Sequence, residues 1–189
     1  MQRDSWNRPQ STLARVGDAF DILGLEPVFD IDPAAVQRAY LAQSALLHPD
    51  LAAADVEAAR TMANLNMARR TLEDPERRAD SFLSRLGGPS KERDKGLPDG
   101  FLMEMMETRE QIEAAAGDPK ARATWEAWAQ ERRREAVMEV GAMFRAVGAR
   151  PLPEALRAIR IRLNAWRYIE RLIEQLDPGY DPRRADFDQ

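Results

Sequence analysis

A chain of 189 residues, 44% hydrophobic and 32% charged with a formal net charge of −4, has the composition of a folded globular protein with room for one or two domains. Its apolar runs are a few residues long, far short of the roughly 20 needed to cross a bilayer, and its interspersed charges offer no field to gather nucleic acid. The absence of cysteine and the presence of a single histidine, His48, exclude disulfides, thiolate nucleophiles and thiolate metal sites, and leave little from which to build a Ser-His-Asp centre or a histidine cage. With no Gly-rich phosphate loop either, the expectation is a protein that is not an enzyme and carries no cofactor or metal.

Residues 1–17 lack an apolar signal-peptide core and are expected to form a short disordered leader. Beyond them the β-type alternation of apolar and polar residues is nearly absent, whereas 3.6-residue periodicity recurs throughout, which predicts an all-α protein. Asp32-Pro33, Asp74-Pro75 and Asp118-Pro119 each pair a capping carboxylate with a proline suited to the first helical turn, marking three helix starts. A short helix is expected over 18–23, stopped by Gly24. A second over 33–47 carries Val36, Ala39, Tyr40, Gln43 and Leu47 on one face, and Pro49 ends it. A third over 55–73 has the stripe Ala58, Met62, Leu65, Ala68 and Leu72. A fourth follows Asp74 with Ala79, Phe82, Leu83 and Leu86. The segment GGPSKERDKGLPDG, residues 87–100, with four glycines and two prolines, reads as a linker. Three longer helices follow over 99–116, 119–147 and 153–176, the last two joined by a turn short enough for an antiparallel hairpin. Residues 178–189 show no periodicity and are expected to be loose.

On the helix from Asp99, the residues Phe101, Met105, Thr108, Ile112 and Ala115 already make a sufficient core stripe. Leu102, Met103 and Met106 lie well over a quarter turn away from it, where Arg109 and Glu110 also project. Large apolar side chains next to charges outside the core stripe point to a binding patch, and methionine suits adaptable protein recognition. On the last helix Ile159, Leu163, Trp166, Ile169 and Ile173 form the main stripe, with Tyr168 roughly opposite Trp166. On periodicity alone a second reading stays open: a helix that touches two neighbours buries a wide arc.

His48, Pro49 and Asp50 stand where the second helix stops. A lone histidine there can be explained by the helix dipole. A short helix, an amphipathic helix, His-Pro-Asp in the turn and a long antiparallel third helix, however, together resemble a J-domain. The stretch NLNMARRTLEDPERRADSFLSRLGG (64–88), the opening FDILGLEPVFDID (20–32), and FLMEMMETREQI (101–112) and WRYIERLIEQL (166–176) toward the C-terminus are similar to the HscB family, J-domain co-chaperones of iron-sulfur cluster assembly. The resemblance covers about residues 18–176. It implies a J-domain over 18–88, a linker over 89–97 and a C-terminal three-helix scaffold-binding domain over 98–177. It further implies that His48, Pro49 and Asp50, with Arg38 on the second helix, engage a DnaK/HscA-type ATP-dependent chaperone and stimulate its ATPase. Leu102, Met103, Met106, Glu107, Arg109, Glu110 and Tyr168 match positions that meet the IscU-like iron-sulfur scaffold protein in that family. Asp50 supplies the acceptor for a charge-assisted hydrogen bond and Pro49 restricts the turn.

The sequence departs from the family's pattern in one respect. Residues 33–47 hold only one basic residue, Arg38, and Leu51 stands where a lysine commonly follows the motif, so electrostatic steering toward an acidic chaperone surface should be weaker. Arg69 and Arg70 of the third helix could compensate or could form an ordinary solvated face. Two other readings therefore stay open: a structural adaptor with a degenerate J-domain, and a J-protein serving a different client. Without cysteine the chain itself is not expected to ligate a cluster. The expected location is the cytoplasm, with no nucleic acid or membrane as partner.

Overall fold

The computed structural model describes residues 17–46, 56–114, 118–148 and 150–176. All regular structure among them is helical: α1 (Ala19–Leu23), α2 (Pro33–Ala45), α3 (Val56–Glu73), α4 (Pro75–Arg85), α5 (Phe101–Ala114), α6 (Pro119–Val147) and α7 (Pro153–Leu176). The expected all-α architecture, a short helix and a helical pair followed by a bundle of longer helices, is what the described residues form.

The helix ends are set by the residues the sequence singles out. Asp18 caps α1, accepting from the amides of Phe20 at 3.0 Å and Asp21 at 3.1 Å, while Asp21 accepts in return from the Asp18 amide. Gly24 closes α1 at φ 66°, a left-handed conformation that costs a residue with a Cβ but not glycine. Asp32, Asp74 and Asp118 each accept from a first-turn amide, with proline in that turn of α2, α4 and α6.

The chain divides into two compact units. In the first, α1 and α2 both pack on α3, enclosing Phe20, Leu23, Val36, Leu65, Ala68 and Leu72. The Tyr40 hydroxyl donates to Asn66 Oδ1 at 3.0 Å and the Arg69 guanidinium lies 4.6 Å from the centre of the Tyr40 ring, so an aromatic residue of α2 is held from two positions on α3.

The second unit comprises Val28–Asp30 together with the described residues from Asp74 onward. Packing thus places α4 with the C-terminal helices, whereas the family's order of domains puts it inside the span 18–88. The reason lies in its apolar face. Ala79 and Leu83 are fully buried in one cluster with Val140 and Phe144 of α6 and Ile159, Leu163 and Trp166 of α7. Phe29 joins the same cluster, its ring 5.4 Å from that of Phe144, which Phe82 also approaches at 4.9 Å. Polar contacts fix the arrangement. Arg160, almost wholly buried on α7, pairs with Asp80 of α4 and donates to the Pro89 carbonyl at 2.8 Å. Arg145 pairs with Asp30.

The segment read as a linker is fastened along α7. Asp94 accepts from the Gly96 amide at 2.9 Å and from Arg157 Nε at 2.8 Å, and the Asn164 amide donates to the carbonyls of both Asp94 and Gly96. At its start, a Cβ on Gly88 would fall 2.3 Å from the Leu83 side chain, so only glycine lets the chain leave α4 this tightly.

Candidate functional site

Three of the four residues expected to engage a chaperone, His48, Pro49 and Asp50, lie outside the described residues, as does Leu51. The fourth, Arg38, is exposed on α2, with Nη2 3.4 Å from Asp32 Oδ2. It is the only charged side chain of that helix. Arg69 does not project as a free cation: half-buried, it covers Tyr40 and has Nε 3.9 Å from Glu73 Oε1. Arg70 is exposed.

The second candidate site belongs to the C-terminal unit and is described throughout. Phe101, Met105 and Thr108 of α5 are buried, as the core stripe requires, and the Thr108 hydroxyl donates to the Glu104 carbonyl at 2.8 Å, which accommodates a polar residue in that stripe. Phe101 and Met105 meet Ala165 and Leu172 of α7 in a small cluster of their own, flanked by Leu97, Ile112 and Trp128. α7 buries residues toward both neighbours, so the wide-arc reading is correct for most of that helix. It fails where it was most in question: Leu102 is 49% exposed, Met103 68%, Met106 60% and Tyr168 37%.

Leu102, Met106 and Tyr168 edge an open groove of about 260 Å³ between α5 and α7. One wall is Leu102, Met105, Met106 and Arg109, the other Tyr168, Arg171, Leu172 and Gln175. Each wall is an i, i+3, i+4, i+7 stripe, the spacing that keeps one helical face in line. The Tyr168 ring stands edge-on to Phe101 at 5.9 Å, which orients the mouth of the groove. Of the seven candidate residues, Leu102, Met106, Arg109 and Tyr168 are brought together here. Met103, Glu107 and Glu110 are exposed on α5 without lining the groove, and share an i, i+4, i+7 stripe beside it. Arg171, Leu172 and Gln175 were not singled out from sequence, although their spacing from Tyr168 was available as a signal.

Electrostatics near the groove are simple. Arg109 pairs with Glu113 at 2.9 Å, both side chains more than half exposed. Deeper in the unit, Glu170 is buried and accepts from Trp166 Nε1 at 2.6 Å and from Arg133 Nε at 2.7 Å, an arrangement that raises the Arg133 pKa. Glu76 of α4 lies 3.2 Å from Arg167, yet burial pushes its carboxyl above the ordinary range. Among the described residues no three Asp, Glu or His side chains gather as a metal site would require, and no helix is long and apolar enough to cross a membrane.

Comparison with known proteins gives the class first. Residues 18–80 match the DnaJ domain and residues 97–177 the HSCB C-terminal oligomerisation domain, which makes this a J-domain protein with a specialised helical bundle. Over 165 residues the chain is 33% identical to the co-chaperone protein HscB homolog of Burkholderia multivorans, an alignment spanning 81% of this chain and 94% of that protein. The homolog from Bordetella petrii is 30% identical over 167 residues, 84% and 94% of the two chains. The chain belongs to the HscB co-chaperone family. Its fold is shared with the solved chaperone HscB from Vibrio cholerae (TM-score 0.69, 24% identity, 90% of this chain and 99% of that one). It is shared also with human co-chaperone protein HscB (TM-score 0.72, 21% identity, 93% and 90%).

Proposed function

We propose that this protein is a cytoplasmic co-chaperone that holds an IscU-like iron-sulfur scaffold protein on the α5–α7 groove and delivers it to a DnaK/HscA-type chaperone, whose ATPase it stimulates through His48, Pro49 and Asp50. The observation that carries the reading is the exposure of Leu102, Met106 and Tyr168 around one groove, on a unit whose core is complete without them. Exposed apolar side chains of this size, rimmed by charge, characterise protein-binding surfaces. The apolar members would dock, while Met103, Glu107, Arg109 and Glu110 would set register. At the other end, the Asp50 carboxylate would accept a charge-assisted hydrogen bond from the chaperone, with Arg38 adding one positive charge on α2. One chain addressing two partners raises the effective concentration of each for the other. No bond is made or broken on this protein.

The test is single-turnover ATP hydrolysis by a DnaK/HscA-type chaperone with the scaffold present, comparing the chain with its Asp50→Asn variant. The expected result is stimulation that disappears in the variant while scaffold binding persists. The lone basic residue of α2 favours a second reading, an adaptor that binds the scaffold without driving the chaperone; equal, negligible stimulation by both forms would establish it in place of the first.

A further inference from the structure

Resting on the docking role of the groove, we propose that its occupant is a protein segment with a bulky apolar side chain flanked by carboxylates, and that Arg171 reads that charge. The volume of about 260 Å³ falls below the roughly 300–1,000 Å³ of small-molecule sites, which suits one or two inserted side chains rather than a cofactor. The apolar lining comes from Met105 and Leu172 at the base and Leu102, Met106 and Tyr168 at the edges. Methionines there can repack around different apolar shapes, so the lining selects for bulk but poorly for identity.

Charge supplies the selection that the lining lacks. The groove's polar residues are Arg109 from one wall and Arg171 and Gln175 from the other, and among the described residues no acidic side chain lines it. Arg109 shares its charge with Glu113 through an exposed pair. Arg171 is exposed and forms no ion pair among the described residues, unlike its neighbours on α7: Arg167 pairs with Glu76 and Arg160 with Asp80. Among the described residues the cation held at the groove edge thus lacks a counter-charge. A guanidinium there offers a planar fork to a carboxylate, and a lysine-bearing segment would face the like charge of Arg171.

The experiment measures anisotropy of fluorescent peptides with a common Leu-Phe centre flanked by Asp, Ser or Lys, binding to the full chain and to Arg171→Gln and Arg171→Glu. Both substitutions are at an exposed position, and circular dichroism melts serve to check that folding is retained. The expected result is Asp-flanked peptide bound about ten-fold or more tighter than Lys-flanked at low salt, a gap that closes in Arg171→Gln, inverts in Arg171→Glu and shrinks with added salt. The Leu102→Ser/Met106→Ser double variant should abolish binding of every peptide. The proposal is overturned by equal binding of all three peptides, by binding of none, by a preference indifferent to Arg171→Glu, or by a preference that survives the double variant. It is also overturned by concentration-dependent self-association in sedimentation that Arg171→Glu removes, which would make a second copy the occupant. A parallel titration with an IscU-like scaffold separates the two readings. Acid preference without scaffold binding sinks the client assignment alone, and scaffold binding untouched by Arg171→Glu with no peptide preference sinks this inference alone.

Discussion

At the level of single residues, burial and exposure separate roles that the same amino-acid types could otherwise share. Leu83 is fully buried between α4, α6 and α7, so Leu83→Ala should cost about 2–5 kcal/mol in urea unfolding. Met106, 60% exposed, should behave in the opposite sense: Met106→Ala is expected to change stability by less than about 0.5 kcal/mol and to weaken scaffold binding in a titration. Glu76 makes stability depend on pH. Burial raises its folded-state carboxyl above the ordinary 4.5, against the pull of Arg167 and with a push from Asp74, Asp80 and Glu170. The native state therefore holds that proton more tightly than the unfolded chain. Its stabilising contribution is fully present below pH 4.5 and is lost as pH rises through the raised value. Glu76→Gln should accordingly gain on the parent chain as thermal melts move from about pH 4 to pH 7. The capping role of Asp32, Asp74 and Asp118 was legible in the sequence because cap and amide lie two or three residues apart. The ion pairing of Glu76 and Arg160 was not, because Arg167 is 91 positions from the first and Asp80 is 80 from the second.

At the level of elements, periodicity located the helices within a residue or two, and with them the core stripe of α5 and the exposed side chains beside it. Of the other wall of the groove it marked only Tyr168, by its place opposite Trp166. Arg171, Leu172 and Gln175 read as an ordinary half-polar face until α5 is set alongside. The segment 87–100 shows the same limit. Glycine, proline and charge correctly exclude a helix there, but what immobilises the segment is Asn164, Arg157 and Arg160 on α7, which no local composition could announce. Asp94 is central to that fastening, and the Gly96 amide, then Arg157, holds its carboxyl below the ordinary range. A depressed carboxyl stabilises above its unfolded value and loses that contribution as pH falls through the folded one. Asp94→Ala is therefore expected to speed amide exchange of residues 89–97 at neutral pH, with the difference from the parent chain shrinking in acid.

For the molecule as a whole, domain order and packing give different boundaries. Matches over 18–80 and 97–177 describe a J-domain followed by a bundle, and that order was legible from His-Pro-Asp and the flanking segments. Packing instead assigns α4 and Val28–Asp30 to the bundle, because Phe29, Ala79 and Leu83 complete a core otherwise built from α6 and α7. A chain cut between residues 88 and 89 should show the difference. Fragment 89–189 is expected to melt at least about 10 °C below the same helices in the intact chain, since the lost contacts amount to several buried side chains. Melts that coincide would mean the bundle is complete without α4.

The placement of Phe29 also bears on how the protein is made. Its neighbour Asp30 and the partner Arg145 are 115 residues apart. At the roughly 5–20 residues per second of synthesis, a newly emerged Phe29 waits about 6–23 s before Phe144 exists to receive it. In that interval α1, α2 and α3 can all be completed and pair with one another, while a phenylalanine between two of them has no partner. A co-chaperone of this design thus spends its own birth displaying an unburied aromatic side chain, the kind of surface that chaperones recognise.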